Sequence, residues 1–277
     1  MQHICTKGPF PGPQPPECGE EERVLLTNLL SGMHRPQEQI ESIVAGAAFV
    51  AVRSASRVGI ASTLGAAPGS GERERMRKLP GSTLREAAGL LLEQSQPFML
   101  SLGLAALNCS LDPPACERGV DALDILAQKG RGAEVALVGH FPFTERLRRE
   151  AGRLHLLELR DVPGRTPPED WDRVLGRCRV AGVTATALLT RSLAYFLNRA
   201  GQGYVVILGP STPLAPVLFE QGASALAGSL ITDPSSVLRG IEQGGCYRDL
   251  KKLGMEQIVC RGDDDGQRSA GSGREVR

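Results

Sequence analysis

Aromatic side chains are scarce in this sequence, where Phe, Trp and Tyr together make up only 4% of the 277 residues. Their scarcity predicts a core built from Leu, Val, Ile and Ala, and the apolar content of 41% is sufficient to form one. An excess of either charge is also missing, because 32 Lys and Arg residues balance 31 Asp and Glu residues. A balanced chain produces no long-range field, so neither nucleic acid nor an anionic membrane is expected as a partner.

Long hydrophobic runs and a recognisable export signal are absent as well. No apolar run approaches the roughly 18 residues that a membrane-spanning helix needs. Near the N-terminus, prolines occupy the positions where a signal peptide would need an apolar stretch. These absences predict a soluble protein in the cytoplasm.

Cysteine is present but follows no familiar pattern. The cysteines are irregularly spaced, odd in number and without a C-x-x-C pair, which argues against a disulfide framework or a zinc finger and predicts reduced thiols. Cysteines and histidines together form no cluster with metal-ligand spacing, so direct coordination of a transition metal by their side chains is disfavoured. The seven cysteines lie at positions 5, 18, 109, 116, 178, 246 and 260.

Common catalytic and nucleotide-binding motifs are missing too. The chain has no P-loop, no G-x-S-x-G elbow and no H-E-x-x-H motif, which removes familiar hydrolase and NTPase signatures. A standard NAD site is disfavoured, because residues 139–143 are GHFPF rather than G-x-G-x-x-G and Pro142 offers no amide to a pyrophosphate. Glu158 nevertheless stands 19 positions after Gly139, roughly where a dinucleotide-binding fold keeps its ribose-binding acid.

Four segments with different patterns are present. We predict a disordered proline-rich arm over 1–19, a small α+β domain over 20–110, an α/β domain over 111–260 and a disordered tail over 261–277. The last helix of the small domain is apolar on nearly all sides, which is compatible with packing between the domains or with a homodimer interface. Predicted elements of the small domain are a helix at 20–30, strands at 42–52 and 57–63, a charged loop at 66–81, a capping box at Thr83 and Glu86, and a helix at 97–111.

The second domain alternates short apolar runs with helical stretches. Continuous apolar runs are typical of strands buried on both faces, and helix-length crossovers enforce parallel pairing. This pattern predicts a doubly wound, Rossmann-like parallel sheet with helices on both faces. The predicted strands lie at 133–139, 154–159, 178–184, 204–210 and 224–230, and the helices at 144–152, 168–176, 187–200, 214–221 and 234–243.

Polar and flexible residues follow the carboxyl ends of these strands, where open parallel sheets bind their ligands. In the sequence GPSTP, Gly209 allows close approach of a backbone and the prolines stiffen the loop around Ser211 and Thr212. Hydroxyl groups and amides there suit an anion such as a carboxylate or phosphate, although Ser and Thr are equally common as helix caps. The candidate ligand-binding residues are Asn108, Gly139, His140, Phe141, Glu158, Thr184, Thr186, Gly209, Pro210, Ser211 and Thr212.

Two of these candidates have open roles. His140 follows a strand end and could carry a proton, ligate a metal or pack in its loop, and the absence of a second nearby ligand makes it a weak metal candidate. Asn108 ends an apolar helix, either as its C-terminal cap or as a contributor to a crevice between domains, with the cap slightly favoured. No catalytic residue is assigned.

Four segments resemble the family described as "putative heavy-metal chelation", a group of bacterial and archaeal proteins. The resemblance covers about residues 20–250, and its most specific pieces are GHFPF and GPSTP. It implies a Rossmann-like domain preceded by a domain similar to the N-terminal domain of enolase, with a ligand pocket between them. It also implies a link to metal handling, in which a transition metal would bind through a bound chelator rather than directly to side chains. The segments are SLGLAALN at 101–108, VALVGHFPF at 135–143, VTATALL at 183–189 and ILGPSTPLAPVLFEQGASALAGSLITDP at 207–234.

Three functions follow from these observations. The chain could hold a small anionic ligand, metal-bearing or heterocyclic, in a cleft between its domains. It could act as a transferase or lyase on such a ligand in the same cleft, or serve as a non-catalytic assembly or regulatory module. Hydroxyl and backbone donors outnumber acid–base groups in the predicted crevice, which favours binding over catalysis.

Overall fold

A computed structural model describes residues 18–93, 96–139 and 141–262 of the chain. Most of the predicted proline-rich arm and charged tail, together with His140, lies outside these residues. The described part is a mixed α/β structure with two sheets, one of three strands and one of seven. None of its helices is long and apolar enough to cross a bilayer.

The first unit is a three-stranded antiparallel sheet, ordered β1-β2-β3, packed on one long helix. The predicted strand at 42–52 is wrong, because Gly46 begins a tight turn that divides this run into two strands. The predicted loop at 66–81 contains a helix, whose start is stabilised by Glu72 accepting the Gly69 amide. The elements are α1 (Glu20–Ser31), β1 (Ile40–Ala45), β2 (Phe49–Ser54), β3 (Val58–Ser62), α2 (Ser70–Arg77), α3 (Leu84–Ala88) and α4 (Pro97–Ser110).

The second unit is built on the seven-stranded sheet, ordered β4-β10-β9-β8-β7-β5-β6. In the first unit, the predicted capping box is present at the start of α3, since Thr83 and Glu86 exchange side-chain to backbone hydrogen bonds. The elements are β4 (Cys116–Arg118), α5 (Ala122–Gly130), β5 (Glu134–Val138), α6 (Thr144–Glu150), β6 (Arg153–Leu157), α7 (Trp171–Leu175), β7 (Val180–Thr184), α8 (Leu193–Arg199), β8 (Tyr204–Leu208), α9 (Val217–Glu220), β9 (Ala225–Ile231), α10 (Pro234–Glu242), α11 (Tyr247–Lys251) and β10 (Met255–Arg261).

Five strands of this sheet, β5 to β9, are parallel, as predicted, while β10 and β4 extend the sheet with antiparallel pairs. Numbered along the chain, the parallel strands have the order 2-1-3-4-5, so the chain reverses its winding direction between β5 and β7. Open α/β sheets bind ligands at such a reversal, beyond the carboxyl ends of the strands. The loops after β5 and β7 therefore lie at the position where sheets of this strand order bind their ligands.

Helices cover both faces of the sheet, as the continuous apolar runs predicted. Along β5, Ala136 and Val138 join the core that contains α1, α4, α7 and α8, whereas Val135 and Leu137 join the core that contains α5. This alternation follows from the two-residue period of a strand. The larger core is continuous with the first unit, so the two units share buried apolar surface.

Helix α4 is buried by the chain itself. Phe98, Leu102 and Leu107 expose at most 1% of their surface, and β2, β3 and α3 pack against the helix. Its all-round apolar character therefore reflects packing inside this chain, and it presents no free apolar face for a second copy.

A disulfide joins Cys116 to Cys260, and the prediction of reduced thiols is wrong for this pair. The two residues are direct partners in the antiparallel pairing of β4 with β10, which brings together positions 144 residues apart in sequence. No local spacing could indicate this bond, because only the sheet topology creates the contact. Cys18, Cys109, Cys178 and Cys246 are free thiols.

Candidate functional site

The predicted site residues of the sheet lie side by side along one edge. Strand register pairs Leu157 with Val138, Val138 with Val183, and Thr184 with Leu208. The residues at or just after the ends of these strands therefore form a row across four adjacent strands: Glu158, Gly139, Thr184 and Gly209.

The reversal point in the middle of this row is tightly built. Gly139 has a φ of +93°, and a side chain there would approach the Thr184 methyl group to 3.1 Å, so glycine is required. The Thr184 and Thr186 hydroxyl groups lie 2.8 Å apart and are partly exposed. The Phe141 ring stacks on Phe143 with 4.9 Å between ring centroids. The edge thus offers hydroxyl groups beside an aromatic surface.

Glu158, at the end of β6, is buried with 8% exposure and forms a pair with Arg160. The Arg160 guanidinium donates to one carboxylate oxygen at 2.6 Å, and the Arg160 amide donates to the other at 3.1 Å. The hydrogen bond from the guanidinium group to Glu158 raises the pKa of Arg160. Both carboxylate oxygens are thus engaged by the neighbouring residue.

The loop after β8 connects the two units. Ser211 and Thr212 are buried, at 1% and 3% exposure. The Ser211 hydroxyl accepts the Ser62 amide at 2.8 Å at the end of β3, and the Thr212 hydroxyl lies within donating distance of the Gly209 and Ala227 carbonyls. Neither residue caps a helix, because α9 begins only at Val217. The cap alternative is therefore wrong.

Replacing Ser211 with Ala should lower the free energy of unfolding by about 1–2 kcal/mol, because the Ser62 amide loses its acceptor at a partly buried site. Urea unfolding of Ser211→Ala measures this loss. The matched control is Ser70→Ala, an exposed position that should stay within about 0.5 kcal/mol of the parent. Equal midpoints for the two variants would contradict a role for Ser211 in joining the units.

Asn108 belongs to this connection rather than to a helix end. Helix α4 continues to Ser110, and the Asn108 amide nitrogen donates to the Ile60 carbonyl and the Ser211 carbonyl, each at 3.0 Å. The slight preference for a cap is therefore wrong, and Asn108 lies between the units. Its two acceptors fix the orientation of the amide, and its Oδ1 atom is buried without a hydrogen-bond partner among the described residues.

A cavity of about 270 Å³ lies beside Asn108, between the free edge of β3 and the end of β9. The Ser229 hydroxyl, contributed by β9, is a second buried polar atom for which the described residues supply no partner. Buried polar groups are normally hydrogen-bonded, so an unpartnered atom on each of two residues that line one cavity points to a missing ligand group. The cavity is lined by Arg35, Ser56, Arg57, Val58, Gly59, Ile60, Asn108, Leu111, Pro113, Pro210, Thr212, Leu214, Ser229, Leu230, Ile231 and Pro234.

Two arginines provide the charge at this cavity. Arg35 and Arg57 both donate to the same Asp112 oxygen at 2.6 Å, and they are the charged side chains among the described lining residues. The hydrogen bond from Arg35, assisted by the charge of Arg57, lowers the pKa of the Asp112 carboxyl. Glu38 accepts the Ser56 amide and hydroxyl nearby. Both carboxylates lie outside the lining, so the groups that reach the cavity are cationic.

The structure thus separates the candidate residues into two places. Asn108, Pro210 and Thr212 line the cavity between the units. Arg35, Arg57 and Ser229 were missed, because they come from a loop, a turn and a strand that no local pattern connects. The remaining candidates described by the structure lie along the sheet edge or in the connecting loop: Gly139, Phe141, Glu158, Thr184, Thr186, Gly209 and Ser211.

Comparison with protein families gives two matches. Residues 121–260 match the family DUF364, and residues 27–111 match DUF4213. Both carry the description "Putative heavy-metal chelation". No curated protein matches the chain.

Two solved structures resemble this one over nearly their whole length. A DUF364 protein of unknown function from Desulfitobacterium hafniense is 22% identical, with a TM-score of 0.74 over 88% of this chain and 99% of its own. A DUF364 protein of unknown function from Pyrococcus horikoshii is 16% identical, with a TM-score of 0.67 over 87% and 98% of the two chains. At these identities the likeness shows a common fold.

Proposed function

Because the chain belongs to the DUF364 family, described as "Putative heavy-metal chelation", and has a cavity between its two units, we propose that it binds a small anionic ligand there. The observation that carries the proposal is the set of charged and polar residues within the mixed lining of the cavity. Arg35 and Arg57 line the cavity, and two further lining residues, Asn108 and Ser229, each carry a buried polar atom without a partner among the described residues. Arginine holds anions through several N–H donors, and a ligand would satisfy the two unpartnered atoms.

A bare metal ion does not fit these residues. The charged side chains of the lining are both cationic, and across the described residues no three His, Cys, Asp or Glu side chains are grouped to hold a metal ion. Hard and borderline cations take oxygen, imidazole or thiolate ligands, none of which is supplied by guanidinium groups. A metal that reaches this cavity would therefore enter as part of an anionic chelate.

Filling the cavity tests the proposal. Ser229→Phe places a ring in the space beside Asn108, so it should abolish binding of small carboxylates and phosphates while the fold is retained. A ligand that binds only the folded state raises the midpoint of thermal unfolding, by mass action. Among a panel of small carboxylates and phosphates, we expect at least one to raise the midpoint of thermal unfolding of the parent chain. None of these compounds should raise the midpoint of Ser229→Phe.

The matched control is Ser235→Phe, an exposed position on α10 outside the cavity lining. It should retain the response of the parent. Mass spectrometry of small molecules released from the native protein gives an independent measurement, and the released anion should be missing from Ser229→Phe alone. An identical anion response in the parent and in Ser229→Phe would exclude this cavity as the binding site.

A further inference from the structure

The cavity runs along the free edge of β3. Arg57 directly precedes this strand, and Asn108 is hydrogen-bonded to Ile60, three residues further on. At about 3.3 Å per residue, the two backbone positions lie about 10 Å apart. Arg57 therefore lies near one end of the cavity, and the Asn108 amide lies near the other.

The Asn108 end of the cavity can accept a hydrogen-bond donor from a ligand. The Asn108 nitrogen already donates to two carbonyls, so the unpartnered Oδ1 atom can only accept. The Ser211 carbonyl and the adjacent Thr212 connect this amide to β9, because Thr212 contacts the Ala227 carbonyl two residues before Ser229. A ligand N–H or O–H group at this end would satisfy Asn108 and could also bond the Ser229 hydroxyl.

The end of the cavity near Arg35 and Arg57 suits a singly charged oxyanion. Each guanidinium carries five N–H donors, and the described contacts of Arg35 and Arg57 with Asp112 use one nitrogen of each. The two arginine charges are balanced by Asp112 and Glu38. The hydrogen bond to Asp112, and then the charges of Asp112 and Glu38, raise the pKa of Arg35. An anion at this end would therefore be held by the free guanidinium N–H donors, and its own negative charge would be uncompensated. A carboxylate with one negative charge is for that reason favoured over a phosphate monoester, which carries about −1.5 to −2.

From this arrangement we infer that the ligand is a small monocarboxylate with an N–H or O–H donor at its far end. This inference rests on the proposed anion site and names the chemistry at each end of it. The cavity volume of about 270 Å³ is sufficient for a small ligand such as a single ring or a short chain.

Compounds in matched sets of three provide the test. Each set contains a carboxylate with a terminal donor, its methyl ester, and the carboxylate in which a methyl group replaces the donor. 4-Aminobenzoate, methyl 4-aminobenzoate and 4-methylbenzoate form one set, and 6-hydroxyhexanoate, its methyl ester and heptanoate form another. In at least one set, loss of either group should weaken binding by at least about tenfold, because the partner groups at the site are left unpaired.

Two variants test which residue recognises the carboxylate and which recognises the donor of the ligand. Arg57→Gln should reduce the preference for the carboxylate over its ester and leave the preference for the donor. Ser229→Ala should reduce the preference for the donor over its methyl isostere and leave the preference for the carboxylate. Both variants keep the Asn108 bridge, so the fold should be retained.

The outcomes separate this inference from the proposed function. If carboxylates bind but the methyl isosteres bind as tightly as the parent compounds, the donor end is wrong and the anion site stands. Tighter binding of 4-aminophenyl phosphate than of 4-aminobenzoate would overturn the choice of a monoanion. If no carboxylate binds, or if Ser229→Phe binds as the parent does, both the inference and the proposed site fail.

Discussion

Removing the disulfide between Cys116 and Cys260 should lower the free energy of unfolding by about 2–5 kcal/mol. The bond joins β4 to β10 and closes a loop across a sequence separation of 144, which contains most of the large sheet. A loop of this length places the entropic effect near its upper end, at about 5 kcal/mol. The β4 strand has only three residues, so its attachment to the sheet depends strongly on this bond.

Urea unfolding without reductant compares the parent with Cys116→Ala/Cys260→Ala. Alanine is preferred over serine because Cys260 is fully buried, and a hydroxyl group there would lose its hydrogen bonds with water. The matched control is Cys18→Ala/Cys246→Ala, which removes two half-buried free thiols and should change stability by less than about 0.5 kcal/mol. Equal midpoints for all three proteins, or a non-reduced peptide map without the cross-linked pair, would contradict the role of the bond.

The parallel part of the fold could be predicted because its signals are local. The run YVVILGP is continuous and apolar up to Gly209, which predicts a strand buried on both faces, and β8 occupies Tyr204–Leu208. Strand β10 was missed, because the run MEQIVCR at 255–261 mixes polar and apolar residues and obtains its place from antiparallel pairing with β9. Pairing with a strand that is distant in sequence cannot be predicted from the residues of a short segment alone.

The sequence predicted where Ser211 and Thr212 lie relative to the strands, but not which groups their side chains bond. Ser211 and Thr212 do follow a strand end, but their hydroxyl groups bond protein groups from β3 and β9, which only the packed structure supplies. Arg35 and Arg57 meet through Asp112, which lies 77 and 55 residues away from them. The cavity between the units therefore depends on long-range contacts, whereas the edge of the sheet follows from strand ends alone.

Glu22 shows how burial can reverse the expected effect of a charge. Acidic residues in the first turn of α1 are expected to be exposed and favoured by the helix dipole. Glu20 and Glu21 are exposed, but Glu22 is 3% exposed and packs against the start of α8, where its Oε2 atom accepts the Ala194 amide at 2.8 Å. Burial raises the pKa of Glu22 to about 7, against the opposing effect of the backbone hydrogen bonds and of the Arg191 charge.

The raised pKa makes the contact between α1 and α8 depend on pH. In the folded state Glu22 keeps its proton up to about pH 7, whereas in the unfolded state it loses the proton near 4.5. The folded state therefore binds more protons in this window, so stability falls as the pH rises through it. At 1.36 kcal/mol per pKa unit, Glu22 should cost the folded state about 2–3 kcal/mol more at pH 8 than at pH 5.

Glu22→Gln should remove this dependence, because glutamine has the same shape and does not titrate. Relative to the parent, its free energy of unfolding should therefore rise by about 2–3 kcal/mol between pH 5 and pH 8. Urea unfolding at a series of pH values measures the difference, and Glu21→Gln is the matched control because Glu21 is exposed on the same turn. A difference that stays constant with pH would show that Glu22 is already ionised at pH 5. The carboxylate would then stabilise the start of α8 as a charged group, and burial would not control its proton.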